Sequence, residues 1–346
     1  MESFGDLDLF YRNSVDNFKK ILLETKWLSE KIPIHKDSYS TTPSGELLHL
    51  YEEVGNGIES GLAEFSRSAQ KIPGDKLSIH YEYARGQLHG LLLESPFIHH
   101  AFTKPMGYAG DYRVVNQILG SPWQGETHFA SILNAAFLRA AAAQAHRNRI
   151  EMLVDVLVKQ ADVASQSNNK MTVLSIGCGP AAEVVRFIAR YPEPNWLSIT
   201  LIDSSREAVE FTNRQVELAC EENCRSADVE AMRSSIQDIL KSRIEGRVSL
   251  KYDLIYCAGL FDYFGDGACK RITNKLSEML RVGGSLIFTN VHKNNPTKEV
   301  MEHLLDWHLV HRDAGAMKKI MPDKLSGGEL FTDETGANIF ARLENK

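Results

Sequence analysis

Beyond Met171 the chain changes character. Short apolar runs, TVLSIG (172–177), SITLID (198–203), SLKYDLIYCAG (249–259) and GGSLIFTNV (283–291), alternate with stretches of helical periodicity. Strands separated by helices run parallel, because the crossover returns the chain to the edge it started from. The alternation therefore predicts a parallel, doubly wound α/β sheet. The closing stretch GGELFTDETGANIFARLEN (327–345) breaks the pattern. Its two strand-like runs flank the turn residues Asp333-Glu334-Thr335-Gly336 and predict a terminal hairpin.

The first half of the chain is helical by pattern. Ser14, Val15, Phe18, Ile21, Leu22 and Leu28 recur on one face, as do Leu47, Leu48, Tyr51, Val54, Ile58, Leu62 and Phe65. This is the period of an amphipathic helix. Between the two runs, the polar and Pro-containing stretch from Ile34 to Gly45 reads as a loop before a capped helix. A further helix is expected from Lys76 to Leu93. A Gly- and Pro-rich segment follows, with Pro105, Gly107, Gly110, Gly120, Pro122 and Gly125, and then one long Ala-rich helix from Phe129 to about Val163. Irregular loops set between helices are places where function collects.

The apolar run Val173-Leu174-Ser175-Ile176 leads into Gly177-Cys178-Gly179-Pro180-Ala181-Ala182-Glu183 and then a helix, VVRFIARY. Glycine lets the backbone pass close to a ligand, and the helix start offers unpaired N–H groups. The next strand ends at Asp203, 24 residues beyond Gly179, where a carboxylate can accept both hydroxyls of a ribose. The same residues satisfy the G-x-G-x-x-A fingerprint, so a nicotinamide dinucleotide is a rival ligand. Pro180 lacks an N–H and Glu183 adds negative charge. Both are awkward for a pyrophosphate and tolerable for a zwitterionic tail. The glycine strand also begins behind a large helical region instead of opening a nucleotide-binding half.

Downstream come YDLIYCAGLFDYF (252–264), a helix, Met279-Leu280-Arg281-Val282-Gly283-Gly284, a strand and the hairpin. In this order the chain resembles the class I methyltransferases over about residues 145–346. The resemblance implies an α/β, Rossmann-like domain at 129–346 that binds S-adenosyl-L-methionine, behind a helical cap or substrate domain at 1–128. It implies that Gly177, Cys178 and Gly179 line the methionine portion and that Asp203 holds the ribose with Ser204 beside it. Ser235, Ile236 and Gln237 would form the adenine pocket, and Ala258 and Gly259 would pass under the cofactor. Plain core is the alternative for Ile236. Ser175 stands where such proteins often carry an acid.

Four further blocks carry a closer resemblance: Lys104-Pro105-Met106-Gly107-Tyr108-Ala109-Gly110-Asp111, His146-Arg147-Asn148-Arg149, Ala258-Gly259-Leu260-Phe261-Asp262-Tyr263, and Asn295-Pro296 leading to Asp306-Trp307-His308. Together they resemble the bacterial methyltransferases named for making 3-hydroxypalmitic acid methyl ester. That resemblance implies methyl transfer to a carboxylate oxygen of a small-molecule or fatty-acid-like acceptor, with a peptide C-terminus or another natural-product acceptor as the alternative. An ionised carboxylate is already nucleophilic, so alignment and exclusion of water can supply most of the rate. The expected catalytic residues are Tyr108, Asp111, Tyr263 and His292, with Tyr108 also closing on the cofactor. Arg149 is the expected cation for the methionine carboxylate of the cofactor or for the substrate carboxylate. Asn290, Trp307, His308 and Arg312 are further candidates for the acceptor pocket. Turn chemistry for the GYAGD loop and a solvated helix face for Arg149 are the alternatives.

A net charge of -6 provides no basic field for a phosphate backbone, which argues against general nucleic-acid binding. The start MESFGDLDLFYRN has no basic region followed by an apolar one, and no stretch approaches the ~20 apolar residues of a membrane span. A cytoplasmic enzyme is expected. Cys178, Cys220, Cys224, Cys257 and Cys269 read as reduced thiols. Neither Cys220 with Cys224 nor the histidines His99, His100, His303, His308 and His311 have the spacing of a tetrahedral site, so no metal is expected.

Overall fold

A computed structural model of the chain describes residues 7–33, 43–242, 251–325 and 328–346. The loop expected at Ile34 to Gly45 falls outside the described residues over 34–42, as do residues 249–250 of the third apolar run and Gly327. In chain order the helices α1 (Leu9–Ser29), α2 (Gly45–Ala69), α3 (Leu77–Leu92), α4 (Pro96–Thr103), α5 (Tyr112–Leu119), α6 (His128–Leu138) and α7 (Ala141–Ser167) come first. Then follow β1 (Met171–Ile176), α8 (Ala182–Arg190), β2 (Leu197–Asp203), α9 (Arg206–Glu222), β3 (Asp228–Arg233) and α10 (Ile236–Leu240). The chain goes on through β4 (Tyr252–Cys257), α11 (Asp266–Glu278) and β5 (Leu280–Val291). It closes with α12 (Lys298–Leu305), α13 (Ala314–Ile320), β6 (Gly328–Thr332) and β7 (Asn338–Glu344). These elements form two compact units.

The first unit comprises the residues up to Gln144 together with Pro296–His308. Its helices start where side chains can accept the N–H groups left over at a helix N-terminus. Asp8, Ser44, Ser95, Asp111 and Thr127 do this for α1, α2, α4, α5 and α6. The apolar faces read from the sequence meet in one core around Val15, Phe18, Leu22, Ile58 and Phe65. Val300, Leu304 and Leu305 of α12 join it. Arg85 holds the end of that helix, donating from Nε to the His303 carbonyl at 2.7 Å and from Nη2 to the Glu302 carbonyl at 2.9 Å. The His303 ring is fully buried, and burial pushes its pKa down to about 3.

One expectation is corrected here. The single helix from Phe129 is two helices, because α6 buries Phe129 through Leu138 in the helical core and the chain must turn at Arg139 and Ala140. The first compact unit accordingly runs to Gln144 and includes Pro296–His308.

The second unit holds a seven-stranded sheet in the order β3-β2-β1-β4-β5-β7-β6. β1 to β5 pair in parallel, while β7 lies antiparallel between β5 and β6. Side chains alternate across the sheet with period two. Leu174, Ile176, Ile255 and Cys257 face one core with Ile272, Leu276 and Met317, whereas Val173, Leu254 and Tyr256 face another with Leu153, Leu157, Val184 and Phe187. Both faces are covered, as a parallel sheet requires. The second unit therefore has the α/β, Rossmann-like architecture expected from the sequence.

Candidate functional site

The strand order reverses between β1 and β4, and in open α/β sheets ligands bind beyond the carboxyl ends of the strands at such a point. The glycine turn lies there. Gly177 and Gly179 take φ of +67° and +52°, a left-handed conformation that side chains disfavour. Gly177 and Cys178 donate their N–H groups to the Ile202 carbonyl at 2.8 and 3.0 Å, which ties the turn to the end of β2. Asp203, nearly buried, accepts from the Gly179 N–H on Oδ2 and from the Ser205 N–H on Oδ1, both at 2.9 Å. Each oxygen uses one acceptor position and keeps another, so a diol can still be bound.

The remaining expected cofactor residues stand at neighbouring strand ends. Ser204 is exposed, and its carbonyl accepts from Arg233 Nε at 3.1 Å. Ser235 follows β3 and is committed to a capping box with Asp238, so its hydroxyl serves α10. Ile236 is half-buried against the core and Gln237 is exposed. The Cys178 thiol is buried and burial pushes its pKa well up, which leaves it a packing group. Gly259 has φ of +88° and donates its N–H to Thr289 Oγ1 at 3.0 Å.

Arg149 is not on a solvated helix face. It is buried, and its guanidinium lies so close to Gly259 that a Cβ there would sit 2.9 Å from Nη1. Its one hydrogen bond among the described residues runs from Nη2 to His146 Nδ1 at 2.7 Å, and its Nε has no partner there. Burial lowers its pKa, against the opposing pull of Asp262 and Glu183. Burial likewise holds His146 far below the usual histidine range, with the Arg149 charge adding to the effect, so the ring is neutral and accepts at Nδ1. Its Nε2 also lacks a partner among the described residues.

The sequence offered Glu183 only as a charge unsuited to a pyrophosphate and gave Tyr256 and Asp262 no role of their own. Glu183 is buried in the first turn of α8 and accepts from the Tyr256 hydroxyl at 2.9 Å, and burial raises its pKa. Asp262 is buried and pushed up to about 6 by that burial, while its Oδ1 accepts the Val291 N–H at 2.6 Å. The signals available were weak: a Glu after the glycines and a Tyr inside an apolar run.

The expected acceptor residues are divided between the two units. Arg312 is fully buried and its donors are engaged by the Phe261 and Phe264 carbonyls, Asn290 Oδ1 and Asp266 Oδ1. Arg312 and Asn290 are thus a clamp between the end of β5 and the turn after β4. Tyr263 in that turn is 39% exposed. His292 is half-buried, with its N–H bonded to the Ala337 carbonyl at 2.7 Å. Tyr108, Asp111, Trp307 and His308 belong to the first unit. There Tyr108 is 39% exposed, while Asp111 is fully buried, capping α5 through Oδ1 and meeting His100 Nε2 through Oδ2 at 2.8 Å. The Asp111 carboxylate is therefore committed to holding its loop. Trp307 is half-buried, and His308 Nε2 lies 3.2 Å from Asp306 Oδ1. Among the described residues no helix is long and apolar enough to cross a membrane.

No protein-family model matches the sequence, and no curated protein matches it. Solved structures do. A Bordetella parapertussis protein described as a possible exported protein is 14% identical, with 99% of each chain covered and a TM-score of 0.52. The likeness is one of fold. Magnesium protoporphyrin IX methyltransferase from Synechocystis, with bound S-adenosylhomocysteine, is 12% identical over 72% of this chain and 99% of its own, at a TM-score of 0.46. The N-methyltransferase NodS from Bradyrhizobium japonicum is 17% identical over 58% and 87%, at 0.38.

Proposed function

We propose that the chain is an S-adenosylmethionine-dependent methyltransferase. The observation that carries this reading is the Asp203 carboxylate, held by the Gly179 and Ser205 N–H groups beside the glycine turn, with acceptor capacity left for a ribose diol. Bound there, the cofactor supplies an electrophilic methyl group on its sulfonium. Gly177 and Gly179 let the backbone approach it, Ile236 offers an apolar edge for the adenine, and Gly259 keeps the end of β4 free of a side chain. Calorimetry with S-adenosylmethionine tests the reading: binding is expected, and Asp203→Ala should abolish it. Tight NADH binding with no affinity for S-adenosylmethionine would show the rival reading to be right.

We propose transfer to a carboxylate oxygen, giving a methyl ester, as the acceptor chemistry. Its support is the sequence resemblance, together with a reaction that asks the protein for alignment and a dry site instead of a nucleophile. Cys178 and Cys257 suit such a role, because burial raises both thiol pKa values and keeps them protonated. Tyr263 and His292 are proposed to contact the acceptor. The helical unit, through Tyr108, is proposed to choose it, with Asp111 as a positioning residue. Candidate acids should yield products heavier by one methylene and labile to mild base. Base-stable products would move the assignment to amine or ether formation.

A further inference from the structure

We infer that Glu183 and Arg149 form a receptor for the free α-amino-acid end of the cofactor, with Glu183 taking the ammonium and Arg149 the carboxylate. The inference rests on the methyltransferase reading and says which side chains of this protein recognise the tail. Position 175, where such proteins often carry an acid, is a buried serine on β1. Its neighbour across the ladder is Tyr256. The Tyr256 phenol donates to Glu183 Oε1 at 2.9 Å. The carboxylate absent from the strand is thus supplied by the first turn of α8 and steadied by the Tyr256 phenol of β4.

The electrostatics call for a ligand. Arg149 and Glu183 are buried and opposite in charge, feel one another through space, and form no ion pair with each other. A buried charge without a contact partner is costly. Arg149 Nε and His146 Nε2 are N–H groups without an acceptor among the described residues, three positions apart on α7. Buried donors of this kind are satisfied in nearly every folded protein. An α-amino acid carries a carboxylate and an ammonium on one carbon, so a single group completes both ends. A ligand with only one of the two charges leaves the other side chain as it was.

The test compares three ligands by calorimetry on the full chain: S-adenosylhomocysteine, its deamino analogue with the carboxylate kept, and 5′-methylthioadenosine, which lacks the amino-acid tail. Charge-assisted hydrogen bonds of this kind correspond to about a tenfold to hundredfold preference. The wild type should favour S-adenosylhomocysteine over the deamino analogue by that factor. Glu183→Gln should remove this preference while binding methylthioadenosine as before. Arg149→Met should bind the deamino analogue no better than methylthioadenosine, and it keeps the receptor testable if Glu183→Gln does not fold. A Glu183→Gln protein that keeps the full preference overturns the inference, as does a wild type that binds all three alike. A wild type that binds none of them overturns the methyltransferase reading itself.

Discussion

Asp262 is a carboxylate that folding makes harder to ionise. Burial lifts it from an ordinary 3.8 to about 6, so between those values the folded protein keeps a proton that the unfolded chain has released. Stability from this group therefore falls as pH rises through that window, then levels off above about 6. Asp262→Asn keeps an acceptor for the Val291 N–H and removes the titration. Urea denaturation from pH 4 to 7 should show the variant gaining on the wild type up to about pH 6 and no further, and a pH-independent difference would refute the assignment. Gly259 makes a second residue-scale case, because its φ of +88° and the nearby guanidinium both exclude a side chain. Gly259→Ala should lose about 1–3 kcal/mol of stability through backbone strain alone. It should also weaken cofactor binding by displacing Arg149, and unchanged affinity would remove Arg149 from the site.

At the scale of elements, the second unit depends on clamps as well as on its sheet. Arg312 joins the turn after β4, the end of β5 and the start of α11 through bonds to Phe261, Phe264, Asn290 and Asp266. Arg312→Met leaves two carbonyls and an amide oxygen without their donors. It should lower the unfolding free energy by about 3–5 kcal/mol, the usual loss when a buried charged partner is removed. A loss below about 1 kcal/mol, the scale of an exposed pair, would mean that the clamp carries little. The helix α12 shows the opposite dependence. Its own sequence places it after β5, yet its apolar side chains complete a core built by α1, α2 and α3.

At the scale of the whole molecule, that excursion links the fates of the two units. Deleting the residues up to Gln144 removes the core that receives Val300, Leu304 and Leu305. Such a truncated chain should aggregate in size-exclusion chromatography. The same truncation with Pro296–His308 replaced by a short Gly-Ser link should elute as a compact species. Equal behaviour of the two would show that α12 does not need the helical core.

The strands β1, β2, β4 and β5, the place of Asp203 at the end of β2, the glycine turn and the terminal hairpin were legible in the sequence because each follows from local chemistry. A short apolar run marks a strand buried on both faces, glycine marks a left-handed turn, and the ends of parallel strands lie where ligands bind. The break between α6 and α7 left no such mark, since no glycine or proline stands at Arg139 and Ala140 and the turn is imposed by what α6 must bury. The same holds for Arg312, an acceptor-pocket candidate in sequence and a saturated clamp in the fold. It holds for Glu183 and Arg149 too. Their burial without an ion pair is a property of surroundings contributed by α7, α8, β1 and β4, and only the folded chain brings those together.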